Sequence, residues 1–451
     1  MRGTVSLSLL ASALVVNAFG ADDLAGMFKE GKASGQIRMF WVDREYQGTA
    51  GNKTHRDATA IGGYLKYETG DFKGLTLGTA FYTTNGLFIE LPREDYSQND
   101  MTLLGPNNDN YSMVGELYAQ YKRGNTTFKG GRQKLDIHMA GSDDVRMTPN
   151  LFEAYLLTNK DVPNTTLVAG HITKFAQGSF GRVYNHTEAS SEASKLLSVT
   201  SGYSYVNSLD QVGEFVNMGT YTLGQSTNGV SVLSATYTGI ENLKLQLWDY
   251  YAHDIANIIY GEANLNWKSF ISDNIKPSAG LQIIKQNDVG DAYAGELEGL
   301  YAAGKVGFQI NNFDIGFSYS QTAKNNATDS KLKNAIITPW GGIPAYTQGM
   351  VTRHMFLAGT KACKVNGGYN FKDLGASLTT SAYYTAFDMD KNSGYGLERT
   401  ASEAGFEAIY YPEYVKNLQL RFRGNFPRNF AEGSSGTTGW SEYRFIANYN
   451  F

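Results

Sequence analysis

The sequence predicts an all-β fold, a transmembrane antiparallel β-barrel of about 18 strands. Three observations point to it. The composition is rich in Gly and Tyr but poor in charge, apolar and polar residues alternate with a period of two, and short connections alternate with long ones.

The chain has 451 residues, with 50 Gly, 30 Tyr and only 18% charged residues. Soluble domains average about 25% charged residues and about 7% Gly. The mean hydropathy of -0.34 is far too low for a helical membrane protein. A barrel that is apolar outside and wet inside reconciles these numbers. The 39 Lys and Arg against 43 Asp and Glu give a net charge of -4, so no nucleic-acid partner is expected. One cysteine, Cys363, excludes an internal disulfide and any C-x-x-C metal or redox site. The histidines form no H-E-x-x-H or H-x-H pattern, and no cofactor or metal is expected. Residues 1–20 read as a signal peptide: Arg2 supplies the positive start, Val5 to Val16 an apolar run, and Ala18-Phe-Gly20 the small residues at the cleavage positions. That run is too short for the roughly 20 residues of a helical span. The remainder, 21–451, reads as one barrel domain with no long-period repeat.

Strand candidates lie near 34–45, 58–68, 74–84, 112–122, 126–134, 151–159, 164–174, 229–238, 243–253, 256–267, 277–287, 294–308, 313–322, 356–370, 374–388, 402–411, 417–426 and 441–451. The last is the clearest. Tyr443, Phe445, Ala447, Tyr449 and Phe451 share one face, and Arg444, Asn448 and Asn450 the other. In the preceding one, Leu418, Leu420 and Phe422 oppose Gln419, Arg421 and Arg423. A soluble sandwich alternates too, but it does not normally bury an arginine face. Tight turns are expected at 70–74, 122–125, 161–164, 239–242, 311–312, 371–373 and 412–417, and long loops at 85–111, 135–150, 175–228, 323–355 and 427–440. Short turns on one side and long loops on the other are the layout of a bacterial barrel, with both termini in the periplasm for an even strand count. Lipid offers no hydrogen bonds, so a spanning sheet must close on itself. Trp41, Trp248, Trp267 and many Tyr can then form the interfacial girdles.

Closure makes the last strand pair with the first. Arg421, Arg423, Arg444, Arg38 and Arg44 would then form one basic wall, and parity puts all five on the lumen faces of their strands. A row of guanidinium groups lets a carboxylate exchange bidentate partners stepwise. The competing reading is that these arginines balance lumenal acids or meet lipopolysaccharide phosphates. Enzyme readings are weak. Gly178-Ser-Phe-Gly181 lacks the G-x-S-x-G pattern, and Asp136, His138 and nearby serines form a triad only on paper. Glu90, Asp95, Asp100 and Asp109 share a loop but have no EF-hand spacing.

Several motifs recur in a set order. Arg38-Met-Phe-Trp-Val-Asp-Arg44 is followed by Asp109-Asn-Tyr-Ser112, then by Arg146-Met-Thr-Pro-Asn150. Asn417-Leu-Gln-Leu-Arg421-Phe-Arg423-Gly-Asn-Phe-Pro-Arg428 and Glu442-Tyr-Arg444 close the series. In this order, from about residue 33 to 451, the chain resembles the OprD family of substrate-selective outer-membrane porins. The resemblance implies an eighteen-stranded barrel in the outer membrane of a Gram-negative bacterium. It would pass small anionic or zwitterionic nutrients through a positively lined constriction. Arg421, Arg423 and Arg444 match the family's basic ladder, Arg38 and Arg44 basic residues of the first strand, and Arg146 the arginine of the third long loop, which narrows the pore. Arg428 matches a basic position at the end of the penultimate strand. Two departures stand out. The stretch Phe406-Glu-Ala-Ile-Tyr410 has no basic residue where the family can place a lysine, and Asp143-Asp144 lie beside Arg146. Those two acids would pin the loop or position a substrate ammonium group. The partners so implied are outer-membrane lipid, lipopolysaccharide and small solutes, with the chain a monomer or loose trimer.

Three functions stay open at this level. The first is a channel selective for carboxylate-bearing or amino-acid-like solutes. The second is a general porin, and the third a surface adhesin whose 175–228 loop makes the contact.

Overall fold

Eighteen extended segments follow one another round a single closed sheet. They are β1 (Lys32–Gln47), β2 (Lys53–Glu68), β3 (Leu75–Gly86), β4 (Tyr111–Arg123), β5 (Thr126–Gln133), β6 (Leu151–Asn159), β7 (Thr165–Ala176), β8 (Val230–Ile240) and β9 (Leu243–Ala252). Then come β10 (Ala256–Asn266), β11 (Ile275–Asp288), β12 (Leu300–Ile310), β13 (Phe313–Thr322), β14 (Lys361–Asn370), β15 (Leu378–Met389), β16 (Arg399–Tyr410), β17 (Leu418–Arg428) and β18 (Gly436–Asn450). The computed structural model describes residues 21–451 except 22, 48–52, 88–98, 184–191, 207–211, 395–398 and 434–435. The expected signal peptide, Glu90 and Asp95 lie outside the described residues.

Each strand pairs antiparallel with the next, and β18 returns to pair with β1, placing Asn448 opposite Arg38 and Glu442 opposite Arg44. Backbone groups in lipid have no other partner, so this seam is what makes the sheet stable in a bilayer. Parity then sorts the side chains. Leu233, Leu247, Leu281, Phe317, Phe422 and Phe445 stand exposed on the outside. Arg38, Arg44, Arg423, Arg444 and Asn448 lie on the inner face and are buried there.

The connections at one end are short, 124–125, 241–242 and 311–312 among them. At the other end, L2 (87–110), L3 (134–150), L4 (177–229) and L7 (323–360) are long. L5 (253–255) is the exception among them, and 267–274 the longest connection at the short-turn end. The hydrophobic core lies inside the barrel at the long-loop end. Met139 and Ala140 of L3, Leu196, Tyr203 and Tyr221 of L4, and Ile336, Trp340 and Phe356 of L7 pack there against lumenal Phe175, Tyr250 and Tyr301. Three loops therefore plug the mouth, and the described part of the 175–228 segment packs inward with them.

Several expectations are corrected. Trp248 joins no outer girdle, being buried on the lumen face with Tyr250 stacked on it at 5.9 Å. The strand expected at 294–308 begins at Leu300, because the preceding loop folds back on β11, with Leu297 N–H donating to Asp288 Oδ1 at 2.9 Å. The strand expected at 356–370 begins at Lys361, because His354–Phe356 form a 3-10 turn inside L7.

Leu281→Arg on the lipid face should cost about 2–4 kcal/mol if the residue sits near the bilayer midplane. Gln309→Arg on the lumen face should cost little. Equilibrium refolding into lipid vesicles in urea measures both.

Candidate functional site

L3 and L7 fold into the lumen and meet the seam, where Arg146 reaches Glu442 and Met350 reaches Arg444. L3 contains a two-residue hairpin, Asp136–Ile137 against Ala140–Gly141, which lays its backbone on L7. Gly141 N–H donates to the Trp340 carbonyl at 3.0 Å. A Cβ on Gly341, at φ 67°, would sit 2.5 Å from the Gly141 oxygen, and one on Gly141 would sit 2.6 Å from Gly342 Cα. Glycine is required on both sides of this contact.

Polar links hold L7 to the wall. The Glu403 carboxylate accepts from the N–H groups of Met350 at 2.7 Å, Val351 at 3.2 Å and Thr352 at 2.7 Å. Gln282 donates to the Pro344 carbonyl at 2.6 Å. L3, L4 and L7 share one ionic junction. Asp143 accepts from Arg353 through both oxygens at 2.8 and 3.0 Å, and from Tyr203 Oη at 2.5 Å, while Arg353 also donates to the Ser201 carbonyl at 3.0 Å. The next residue, Asp144, ties L3 to the wall through Arg38 at 2.7 Å and pairs within L3 with Lys134 at 2.9 Å. Both acids thus contact loop-pinning cations. Burial alone would raise the Asp144 carboxyl, but Arg38 and Lys134 reverse this and hold it well below the usual carboxylate range.

The arginines meet on one carboxylate. Glu442 lies 2.6 Å from Arg44 Nη2, 2.8 Å from Arg146 Nη2 and 3.0 Å from Arg444 Nε. Asp100 of L2 adds a second carboxylate to Arg44 at 3.0 Å. All of these side chains are buried. Burial pulls Arg146 down to about 10, against the pull of Glu442, so it stays charged at neutral pH. Arg146 also donates to Thr102 Oγ1 at 3.0 Å and lies over the Phe40 and Phe180 rings. On β16, Glu407 pairs with Arg421 at 2.5 Å and Arg423 at 2.8 Å.

The seam therefore does bring Arg38, Arg44, Arg421, Arg423 and Arg444 to one side of the lumen, with Arg146 folded onto it. It is not a bare guanidinium wall. Arg44, Arg146 and Arg444 are closed off from water, and the Arg421 side chain, 24% exposed, remains the most open of those in ion pairs there. Arg428 lies at the rim and donates to the backbone carbonyls of Pro427 and Trp440. Asp136 accepts from Ser142 while His138 bonds Gln246, so no triad forms. Asp100 is occupied by Arg44 and by Thr102, and no metal-holding cluster occurs among the described residues.

Sequence reasoning missed Glu442, Glu407, Lys134 and Arg353. Glu442 stands two residues before Arg444, and Glu407 in the stretch noted for its lack of a basic residue, so parity alone would have put both acids among the arginines. Arg353 had no such signal, because its partner is 210 residues away in sequence.

The opposite wall belongs to β9–β12. Glu262 on β10 accepts from Tyr346 Oη at 3.0 Å and Gln246 Nε2 at 3.3 Å, and also from Tyr260 and Asn264. In a ring of eighteen strands β10 is diametrically across from β1. Below it, toward the short-turn end, opens a vestibule of about 1680 Å³, lined by residues that include Lys244, Glu262, Lys305, Asn366 and Glu407.

A closed barrel with a lipid-facing apolar exterior and an aqueous lumen narrowed by an infolded loop defines an outer-membrane porin. A family model for outer membrane porins of the OprD family matches residues 25–451, and the chain belongs to that family. It is a channel of the Gram-negative outer membrane and not an enzyme. The short turns face the periplasm and the long loops the outside. No curated protein matches the sequence. Among solved structures the chain is similar to Pseudomonas aeruginosa OccK9 (OpdG), at 18% identity and a TM-score of 0.73, covering 94% of this chain and 99% of that one. It is also similar to P. aeruginosa OpdK, solved with vanillate, at 16% identity and a TM-score of 0.72 with the same coverage. OccK2 (OpdF) of that organism, in complex with glucuronate, matches at 16% identity and a TM-score of 0.69, again covering 94% and 99%.

Asp143→Asn should loosen the three-loop junction, giving larger single-channel currents with more frequent fluctuations in planar bilayers. The pH dependence of L3 follows from Asp144. Its folded pKa is depressed, so the contribution of its pairs is complete above the unfolded value of about 3.9 and is lost only as pH falls below that. Current fluctuations are expected to match at pH 7 and pH 5, and to rise only in stronger acid.

Proposed function

We propose that the protein is a diffusion channel selective for small carboxylate-bearing or amino-acid-like nutrients. The observation that carries this reading is the asymmetry of the constriction. Six arginines (Arg38, Arg44, Arg146, Arg421, Arg423 and Arg444) stand with five carboxylates (Asp100, Asp144, Glu403, Glu407 and Glu442) on one wall, leaving an excess of positive charge. In a narrow, low-dielectric passage that excess raises the local concentration of anions. Arg421 and Arg423, sharing the single Glu407, are the partners a carboxylate would engage, with Arg38 next along the wall. Their pairing on one acid leaves donors for an incoming anion. Arg44, Arg146 and Arg444 then act as the fixed positive background. Glu262 on the far wall offers an ammonium group a counter-charge, which fits a zwitterion lying across the lumen. Vanillate and glucuronate, found with two structural relatives, are both carboxylates. The lumen is lined by one chain, consistent with a monomer or loose trimer, and residues 1–20 serve as the export leader.

One observation favours a general porin instead. Glu442 and Asp100 together offset two of the three charges of Arg44, Arg146 and Arg444, which would leave only a weak ion preference. Reversal potentials in a salt gradient separate the two. Arg421→Ala/Arg423→Ala should lower anion preference and weaken current block by organic carboxylates, and unchanged values would overturn the ladder assignment. Glu262→Gln should weaken block by amino acids while leaving block by simple organic acids intact.

A further inference from the structure

We infer that the outer face of β5–β8, at its extracellular end, is a binding site for a lipid A phosphate of the outer leaflet. The argument begins with register. Outward positions along these strands are apolar from the short-turn end upward, with Phe128 on β5, Tyr155 and Leu157 on β6, Leu167 on β7 and Leu233 on β8, all exposed. Toward the extracellular end the same outward positions turn polar. Arg132 stands opposite Leu117 of β4 and Glu153 of β6. His171 stands opposite Tyr155 and Ser231. Lys174 stands opposite Glu153 and Asn217. Arg132 follows Phe128 by four residues, so its Cα lies about 13 Å farther along the strand. Arg132 is the seventh of the eight residues of β5 and Lys174 the tenth of the twelve of β7, counted from the short turns, so both stand at the extracellular end of their strands.

The cations converge there. Lys174 lies 3.2 Å from Glu153 and Arg132 lies 4.0 Å from it, so one acid is shared between two permanent charges. Both heads keep solvent access, with side chains 42% and 39% exposed. Phe215 of L4 lies 4.4 Å under the Arg132 guanidinium and fixes its plane. A register shift between Glu153 and Ala154 adds a residue to β7 at this level, turning both Thr173 and Lys174 outward. Beside them, Ser231 Oγ lies 3.2 Å from His171 Nδ1 and 3.0 Å from His253 Nε2 of L5, extending the row of polar groups along the rim. Glu214 of L4 is exposed next to Phe215 in the chain, and Asp249, on the outward face of β9, is engaged by Asn257.

An exposed Arg–Lys pair with a residual positive charge, standing on the lipid side just above an apolar band, faces one abundant anion in that leaflet. The phosphate of lipid A lies at this depth while its acyl chains cover the leucines below. Bidentate contact from Arg132 and a point charge from Lys174 suit that phosphate.

The test is native mass spectrometry of the full barrel, extracted in mild detergent and incubated with purified diphosphoryl lipid A. The wild-type protein should retain one lipid A. Arg132→Gln/Lys174→Gln should bind about thirtyfold more weakly, the product of a roughly fivefold loss for each cation at an anionic lipid surface. Arg132→Lys should bind more tightly than that double variant. Single-channel conductance of the double variant should be unchanged, because neither residue reaches the lumen, and this shows that the barrel has formed. Equal lipid A binding by the double variant would overturn the site, as would equally tight binding of phosphatidylglycerol. Displacement by millimolar inorganic phosphate would overturn lipid A as the occupant.

Discussion

The Glu442 carboxylate is the point on which the constriction hangs. It receives Arg44 from β1, Arg146 from L3 and Arg444 from its own strand, β18. Seam, loop and wall are thus joined at one buried anion. Three like charges would not tolerate this proximity without it, and removing one partner of a buried ionic cluster typically costs about 3–5 kcal/mol. The arrangement does not make the site stronger than an apolar packing would. What it supplies is position, since a planar guanidinium fork on a fixed carboxylate allows few orientations.

The same neutralisation alters how a conducting wall works. Arginines locked on an internal acid contribute field but exchange no ligands. On the proposed reading Arg421 and Arg423, which share Glu407 and are more exposed, do both. The graded exposure from Arg444 to Arg423 to Arg421 divides the wall into a structural part near the extracellular loops and a more open part toward the periplasm. Glu407 pairs with both Arg421 and Arg423 and lowers the charge of that open part.

Most of the barrel was legible in the sequence because a sheet in lipid must alternate, and alternation is visible one strand at a time. Phe422 against Arg423, or Phe445 against Arg444, announces both faces without knowledge of any neighbour. The short turns were legible for the same local reason. The loops were not. Trp248 looks like an interfacial aromatic until L3 and L7 are seen to cover it, and Arg353 gives no hint that it reaches Asp143. Those contacts join segments about 100–200 residues apart, and nothing periodic marks them. Parity identified which arginines face inward, and the same parity places Glu442 and Glu407 beside them, but it gives no sign of which arginine each acid engages.

The apolar side chains fall into two populations separated by the thickness of one backbone. Leu281 and Phe422 belong to the one that touches acyl chains, and Trp340, Tyr221 and Phe356 to the one enclosed by the tube. Detergent chemistry governs the first, whereas the second answers to water and heat like the interior of any soluble domain. Yet the cork grips the bottle through Phe175, Tyr250 and Tyr301, so whatever softens the stopper also loosens its hold on the glass.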